Sequence, residues 1–242
     1  MKIDNGTMKL MAKLGLLLMM WGSLSAAAGF LGFGGDSWKE EVLLHDGSKI
    51  IVDRAADRHG PHETGQRPPI GDQSIKFTMP GTNRRVVWKD EFSNDVSGAN
   101  FNLMALDVVQ GVAYLVVTPA GCPSYNKWGR PNPPYVIFIY QGNEWVRIQL
   151  QELPSEIKSP NMLHSSPDEV AEKTKKNGIV SAEVIRSENE DFRQPEFKTI
   201  LREALPKERI NEMCMEMVPY KGSWIMPNDP IARKFIDEQQ KR

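Results

Sequence analysis

From Trp38 to Leu150 the chain alternates short apolar-rich runs with turn residues, at the period of two that lays one face of a β-strand on a core. "WKEEVLL" and "SKIIVDR" flank His45-Asp46-Gly47, and Asp-Gly between two such runs predicts a hairpin because both residues tolerate a positive φ. "SIKFTM" and "RRVVWK" flank Pro80-Gly81-Thr82-Asn83, "NLMALDVV" and "VAYLVV" flank Gln110-Gly111, and "YVIFIY" and "EWVRIQL" flank Gln141-Gly142-Asn143. Four successive hairpins predict an antiparallel sandwich, a barrel or a twisted meander. The last two pairs are apolar on both faces, which places them centrally, and "EWVRIQLQELP" reads as an edge strand leading out. Between the first two hairpins, residues 55–73 ("AADRHGPHETGQRPPIGDQ") are too rich in Gly, Pro and charge for regular structure and predict a long surface loop.

After Pro154 the period changes. Ser166, Pro167 and Glu169 have the form of a capping box with proline at the first helical position, predicting a helix to about Asn177 that Gly178 stops. A second helix is expected from Pro195 to about Leu205. A third covers "KERINEMCMEM", where Ile210, Met213, Cys214 and Met217 share one face. "ARKFIDEQQKR" is a short charged helix at the end. The fold class is α+β: an antiparallel β domain over 36–154, then a helical segment over 155–242.

Residues 1–35 have another character. From Leu14 to Gly35 there is no charge, and Lys2, Lys9 and Lys13 precede the run. Leu14 to Leu24 has the ~7–15 residue length of a signal-peptide hydrophobic region, with Ala26-Ala27-Ala28 before Gly29 as the small-residue cleavage site. The whole uncharged run also reaches the roughly 20 residues that cross a bilayer, so a retained single-pass anchor is the other reading. Both readings keep the lysines inside and export the rest, to the periplasm. Membrane contact then runs through the uncleaved segment. No cysteine lies near the end of the hydrophobic region, which excludes a lipoprotein.

Charge narrows the partners. With Lys+Arg 30 against Asp+Glu 31 and a net charge of -1, there is no positive field to gather a polyanion, and nucleic acid is not expected. An envelope protein or a glycan is the expected class of partner. Neither Gly-x-Ser-x-Gly nor His-Glu-x-x-His is present, and no cofactor or metal is expected. His59 and His62 with Glu63 have metal-ligating residue types, but Gly60 and Pro61 between them forbid the helical spacing of a zinc site, and a polar loop is the better reading. "MCMEM" (213–217) offers soft ligands yet reads as core, methionine being a flexible gap-filler. Asp90, Glu91 and Asp95 read as a solvated turn rather than a glycosidase pair.

Residues 122–145 ("CPSYNKWGRPNPPYVIFIYQGNEW") concentrate one of the two cysteines with aromatics and prolines. Tyr125, Trp128, Arg130 and Tyr135 are the candidate binding residues, an aromatic shelf with a guanidinium for a carboxylate. The alternative is bracing, in which prolines stiffen the connection and the aromatics cover the end of the sheet. Cys122 and Cys214 form an even pair in a chain expected to reach an oxidising compartment. A bridge between them would close a loop of about 90 residues, worth about 4 kcal/mol on a chain-entropy model. Two separate buried thiols are the other possibility.

"WKEEVLLHDGSKIIVDR", "SYNKWGRPNPPYVIF" and "WVRIQLQELP" resemble a group of exported hypothetical proteins of proteobacteria. The resemblance spans most of Trp38 to Pro154. It implies an envelope location and a shared fold, and it carries over no catalytic residue. The chain is thus expected to be a non-enzymatic envelope binding or interaction module; the rival is an envelope hydrolase of carbohydrate or peptide with dispersed carboxylates.

Overall fold

The computed structural model describes residues 35–239; residues 1–34, within which a signal peptide or anchor is expected, lie outside the described residues. All four expected hairpins are antiparallel pairs. β1 (Asp36–Leu43) pairs with β2 (Lys49–Arg58), and β3 (Ile70–Thr78) with β4 (Arg85–Asp90). β5 (Phe101–Val109) pairs with β6 (Val112–Pro119), and β7 (Val136–Gln141) with β8 (Glu144–Ile148). The first two hairpins join through β2 and β3 into one sheet and the last two through β6 and β7 into another. Gln110 and Gly111 both have positive φ (51° and 75°), as a two-residue turn matched to strand twist requires.

The two sheets face each other as a sandwich. Alternate residues Val42, Val52, Ile75, Phe77, Val86 and Trp88 of the first pack on Leu103, Leu106, Leu115, Val117, Val136 and Phe138 of the second in one buried cluster. Along one side Trp145 Nε1 donates to the Val87 carbonyl at 2.8 Å, linking edge strands β8 and β4. The inner face also holds charge. Arg54 and Glu40, 2% and 0% exposed in their side chains, meet at 2.7 Å. Trp38 Nε1 and the Leu163 N–H donate to Glu40, and Arg54 Nη1 donates to Glu40 and to the Leu163 carbonyl, so both carboxylate oxygens and the facing guanidinium nitrogen have partners.

β5 lies at the edge of its sheet yet is buried on both faces, because later chain covers it. A register shift between Leu103 and Ala105 turns Met104 and Ala105 outward with Val116 and Ile137, against Leu153, Ile157 and Ile200. The Met104 carbonyl accepts the N–H groups of Asn161 and Met162. Asn161 then substitutes for a neighbouring strand: its Oδ1 accepts from Leu106 N at 2.9 Å, and its Nδ2 donates to the carbonyls of Leu106 and, across the sandwich, Leu43.

The chain after Pro154 therefore does not stand apart from the sheets. β9 (Ile179–Val180) joins the free edge of β1 in parallel. α2 (Pro167–Thr174) and α3 (Ala182–Glu190) put Ala171 and Ile185 on Trp38 and Ala56. α1 (Gly121–Lys127), α3, β9 and the hairpin of β10 (Val218–Tyr220) with β11 (Ser223–Ile225) were not expected from the sequence, although Ser181, whose side chain accepts from Val184 N, caps α3. Other helices are shorter than expected. α4 (Pro195–Lys198) is one turn, because Ile200 leaves it to bond the Lys158 carbonyl and bury on the second sheet. α5 (Lys207–Met213) stops where Cys214 extends into a disulfide, and α6 (Pro230–Gln239) closes the described chain. The capping box does not form: Ser166 is left-handed (φ 42°) with no side-chain bond, and α2 is anchored instead by Asp168, held by Arg58 at 2.6 and 2.7 Å. The long loop also shrinks, to 59–69, since β2 runs on to Arg58 and β3 starts at Ile70. No helix among the described residues is long and apolar enough to cross a membrane.

Candidate functional site

The four aromatic-shelf residues do not form one shelf: Arg130 lies over the Tyr125 ring, 5.2 Å from its centroid, while Trp128 and Tyr135 pack in other clusters. Tyr125 is buried with Ile210 and Cys214, and its hydroxyl donates to the Pro131 carbonyl. Tyr135 is buried under the second sheet, where its hydroxyl donates to the carbonyls of Glu196 and Thr199 and accepts from Leu201 N; burial pushes its pKa up to about 12. Trp128 is half-buried, its ring 4.6 Å from that of Phe101 and its Nε1 3.3 Å from Asn100 Oδ1. Arg130 uses its guanidinium on the carbonyls of Cys214 and Met215, both at 2.9 Å. Beside it Cys122 and Cys214 are bridged, their Cα atoms 5.3 Å apart. This geometry is that of bracing. The soft-ligand reading of 213–217 disappears with it, because Cys214 is in the bridge and Met215 points outward, 55% exposed.

The acidic turn is solvated only in part: Glu91 is exposed and Asp95 half-buried, whereas Asp90 is withdrawn from solvent. Asp90 is buried, accepting from Gln73, Asn100 Nδ2 and Phe101 N, and burial raises its pKa. Asp95 accepts from Lys127 and Trp224 Nε1, and those bonds, with that from Ser93, outweigh desolvation and hold its carboxyl down at about 2. Both serve the fold.

The structure assembles a different set, around His45. Gly47 (φ 84°) and the Asp46 side chain, which accepts from Ser48 N and Oγ, shape the β1–β2 turn so that His45 is presented beyond the sheet end. There its Nδ1 lies 2.7 Å from Asp107 Oδ1 and its backbone N–H 3.0 Å from Asp107 Oδ2; Val108 N also donates to Asp107. With the Asp107 side chain 5% exposed and that of His45 22%, an acceptor carboxylate sits behind a ring that reaches solvent. The bond to Asp107 raises the His45 pKa against the opposing desolvation. An acceptor at Nδ1 fixes the proton there in the neutral ring, leaving Nε2 as the lone-pair nitrogen.

His45 and Asp107 line an open cleft of about 390 Å³, within the range of small-ligand sites. Its walls are residues 156–161, α3 and Lys198, and they carry both signs: Lys158, Arg186 and Lys198 against Glu156, Glu183 and Glu190. Glu183 is held down to about 2 by hydrogen bonds from its own backbone N–H and then from Lys49, at 3.0 Å, and Ser181. Asn161, already bonded across both sheets, forms part of the same wall. Sequence reasoning saw His45 only as a turn residue. No local signal marks it, since its partner lies 62 residues away.

The chain matches no family model, no curated protein and no solved structure.

Proposed function

We propose that the protein is an exported binding module of the bacterial envelope, and that the His45 cleft takes a short zwitterionic peptide segment. The observation that carries this reading is the pairing of cationic and anionic side chains on the walls of one cleft of ligand size. A ligand with a single sign of charge would meet repulsion on part of that wall, whereas an ammonium and a carboxylate each find a counter-charge. The export segment and the resemblance to exported proteobacterial proteins support the envelope as its place of action. The test is a thermal-shift and calorimetric titration with short peptides that are zwitterionic, N-acetylated or C-amidated. Zwitterions should bind, either block should weaken binding, and Lys198→Ala with Glu190→Ala should abolish it. Equal response to all three forms, or to none, refutes the assignment. A reporter fused after Arg242 should be active only outside the cytoplasm, and cytoplasmic activity would refute export.

The His45–Asp107 bond favours a second reading, an envelope hydrolase in which Nε2 serves as general base toward water or a neighbouring hydroxyl such as that of Ser159, which lines the same cleft. Turnover of a bound peptide that is lost in His45→Gln would select it over the binding module.

A further inference from the structure

A second side-chain cluster lies away from the cleft, where β2 ends and β3 begins. Asp57 and Asp72 are directly opposed residues of the two strands, an arrangement of like charges that by itself destabilises a sheet. The chain then shifts register, and His59 comes back between them. Its Nε2 is 3.3 Å from Asp72 Oδ2 and its Nδ1 3.7 Å from Asp57 Oδ2. One ligand atom from each of the three residues lies within 4.8 Å of the others.

The imidazole has a prepared seat. A Cβ on Gly71 would fall 2.3–2.5 Å from its ring atoms, so only glycine leaves the ring its place, and the Phe92 ring packs beside it at 4.9 Å. The backbone N–H of Phe92 holds Asp72 Oδ1 at 2.8 Å, which leaves Oδ2 facing the histidine. Arg58, between Asp57 and His59, is committed to Asp168. The sequence pair His59 and His62 with Glu63 is not what the fold assembles: His62 is exposed and bonds the Gly60 carbonyl, and Glu63 pairs with Gln66.

We propose that Asp57, His59 and Asp72 form a binding site for a divalent transition-metal ion of the Zn²⁺ or Mn²⁺ type, with one imidazole nitrogen, one oxygen from each carboxylate and the remaining positions open to water. Metal bonds of about 2.0–2.2 Å place neighbouring ligand atoms roughly 3–3.5 Å apart. The 3.3 Å between His59 Nε2 and Asp72 Oδ2 already meets that; Asp57, which faces Nδ1 at 3.7 Å and is 36% exposed, has to rotate toward the shared nitrogen, from a starting set whose ligand atoms lie within 4.8 Å of one another. The imidazole selects a transition metal over Ca²⁺ or Mg²⁺. The Gly71 seat and the Phe92 bond fix the orientation of two of the three ligands, as supporting groups around metals do. A dication also cancels the repulsion between the opposed carboxylates.

The test uses the tag-free full chain, stripped with chelator and titrated with Zn²⁺ or Mn²⁺ alone by calorimetry and thermal melting. One ion should bind per chain, with a melting temperature that rises with metal concentration. Affinity should fall tenfold or more, about the loss seen on disturbing metal sites, in both His59→Gln and Asp72→Asn, and stay unchanged in His62→Ala. Asp57→Asn should also bind tenfold or more weakly, yet in the metal-free state melt no lower than the parent, because the substitution removes a like-charge pair; weakened binding in a variant of undiminished stability shows that the loss is not loss of fold. No saturable binding, binding that survives both substitutions, or binding that is lost in His62→Ala overturns the proposal.

Discussion

Breaking the Cys122–Cys214 bridge has a consequence that can be worked out from the fold. The bonded residues are 92 apart in sequence, and on the chain-entropy model releasing a loop of that length from the unfolded state costs about 4.6 kcal/mol of stability. At an unfolding entropy of roughly 2.1 cal/mol/K per residue, about 200 ordered residues give about 0.4 kcal/mol/K, so the melting temperature should fall by about 11 degrees. The native segment should hold its position without the bond. Arg130 binds the carbonyls of Cys214 and Met215, Asn126 Nδ2 donates to Met215 at 3.1 Å, and Met217 N donates to Asn126 Oδ1 at 2.8 Å. The Cys122→Ser/Cys214→Ser variant should therefore unfold in one transition, only lower, and reductant should shift the parent but not the variant. Differential scanning calorimetry measures both. A shift of under about 3 degrees, or a separate early transition for the helical end, would show that the bridge does not act through the unfolded state.

The remaining predictions concern buried polar groups and one ring. His164, buried against Phe192 and Phe197 with Thr118 on Nε2, has its pKa pushed down to about 4 by desolvation. A depressed histidine destabilises as pH falls below the unfolded value, because only the unfolded chain takes the proton, and urea unfolding should show a loss of about 2 kcal/mol between pH 7 and pH 5 that His164→Gln removes. His45 has the opposite sign: its raised pKa adds stability that is full below its ordinary value of 6.5 and fades as pH rises through the folded value, a slope that should vanish in Asp107→Asn. Arg54→Met should cost about 3–5 kcal/mol by leaving Glu40 buried without its counter-charge, and adding Glu40→Gln should recover part of it; a double variant less stable than the single one contradicts this. Trp128→Ala should lose about 3 kcal/mol in thermal unfolding through its contacts with Phe101 and Phe138, where an exposed shelf residue would lose little.

The period-2 runs and their turn residues were enough to locate eight strands in four hairpins, because pairing between neighbours depends on local twist and on which face is apolar. That same pattern left sandwich, barrel and meander open. The choice fell to contacts between Val42, Ile75 or Trp88 and Leu115 or Phe138, residues that local periodicity marks as buried without saying against what. Two cysteines allow a single pairing within the chain, while the 5.3 Å between their Cα atoms depended on how 205–217 folds back on α1. Helix ends failed for a related reason. Ile200, Cys214 and Asp168 are pulled by long-range partners, and a capping or periodicity signal worth about 1 kcal/mol yields to burial worth more. The His45–Asp107 dyad and the Asp57–His59–Asp72 cluster depend on the same long-range geometry: hydrogen bonding and charge act over a few ångströms of space, and only the folded sheets bring residue 107 to residue 45, or Asp72 to Asp57.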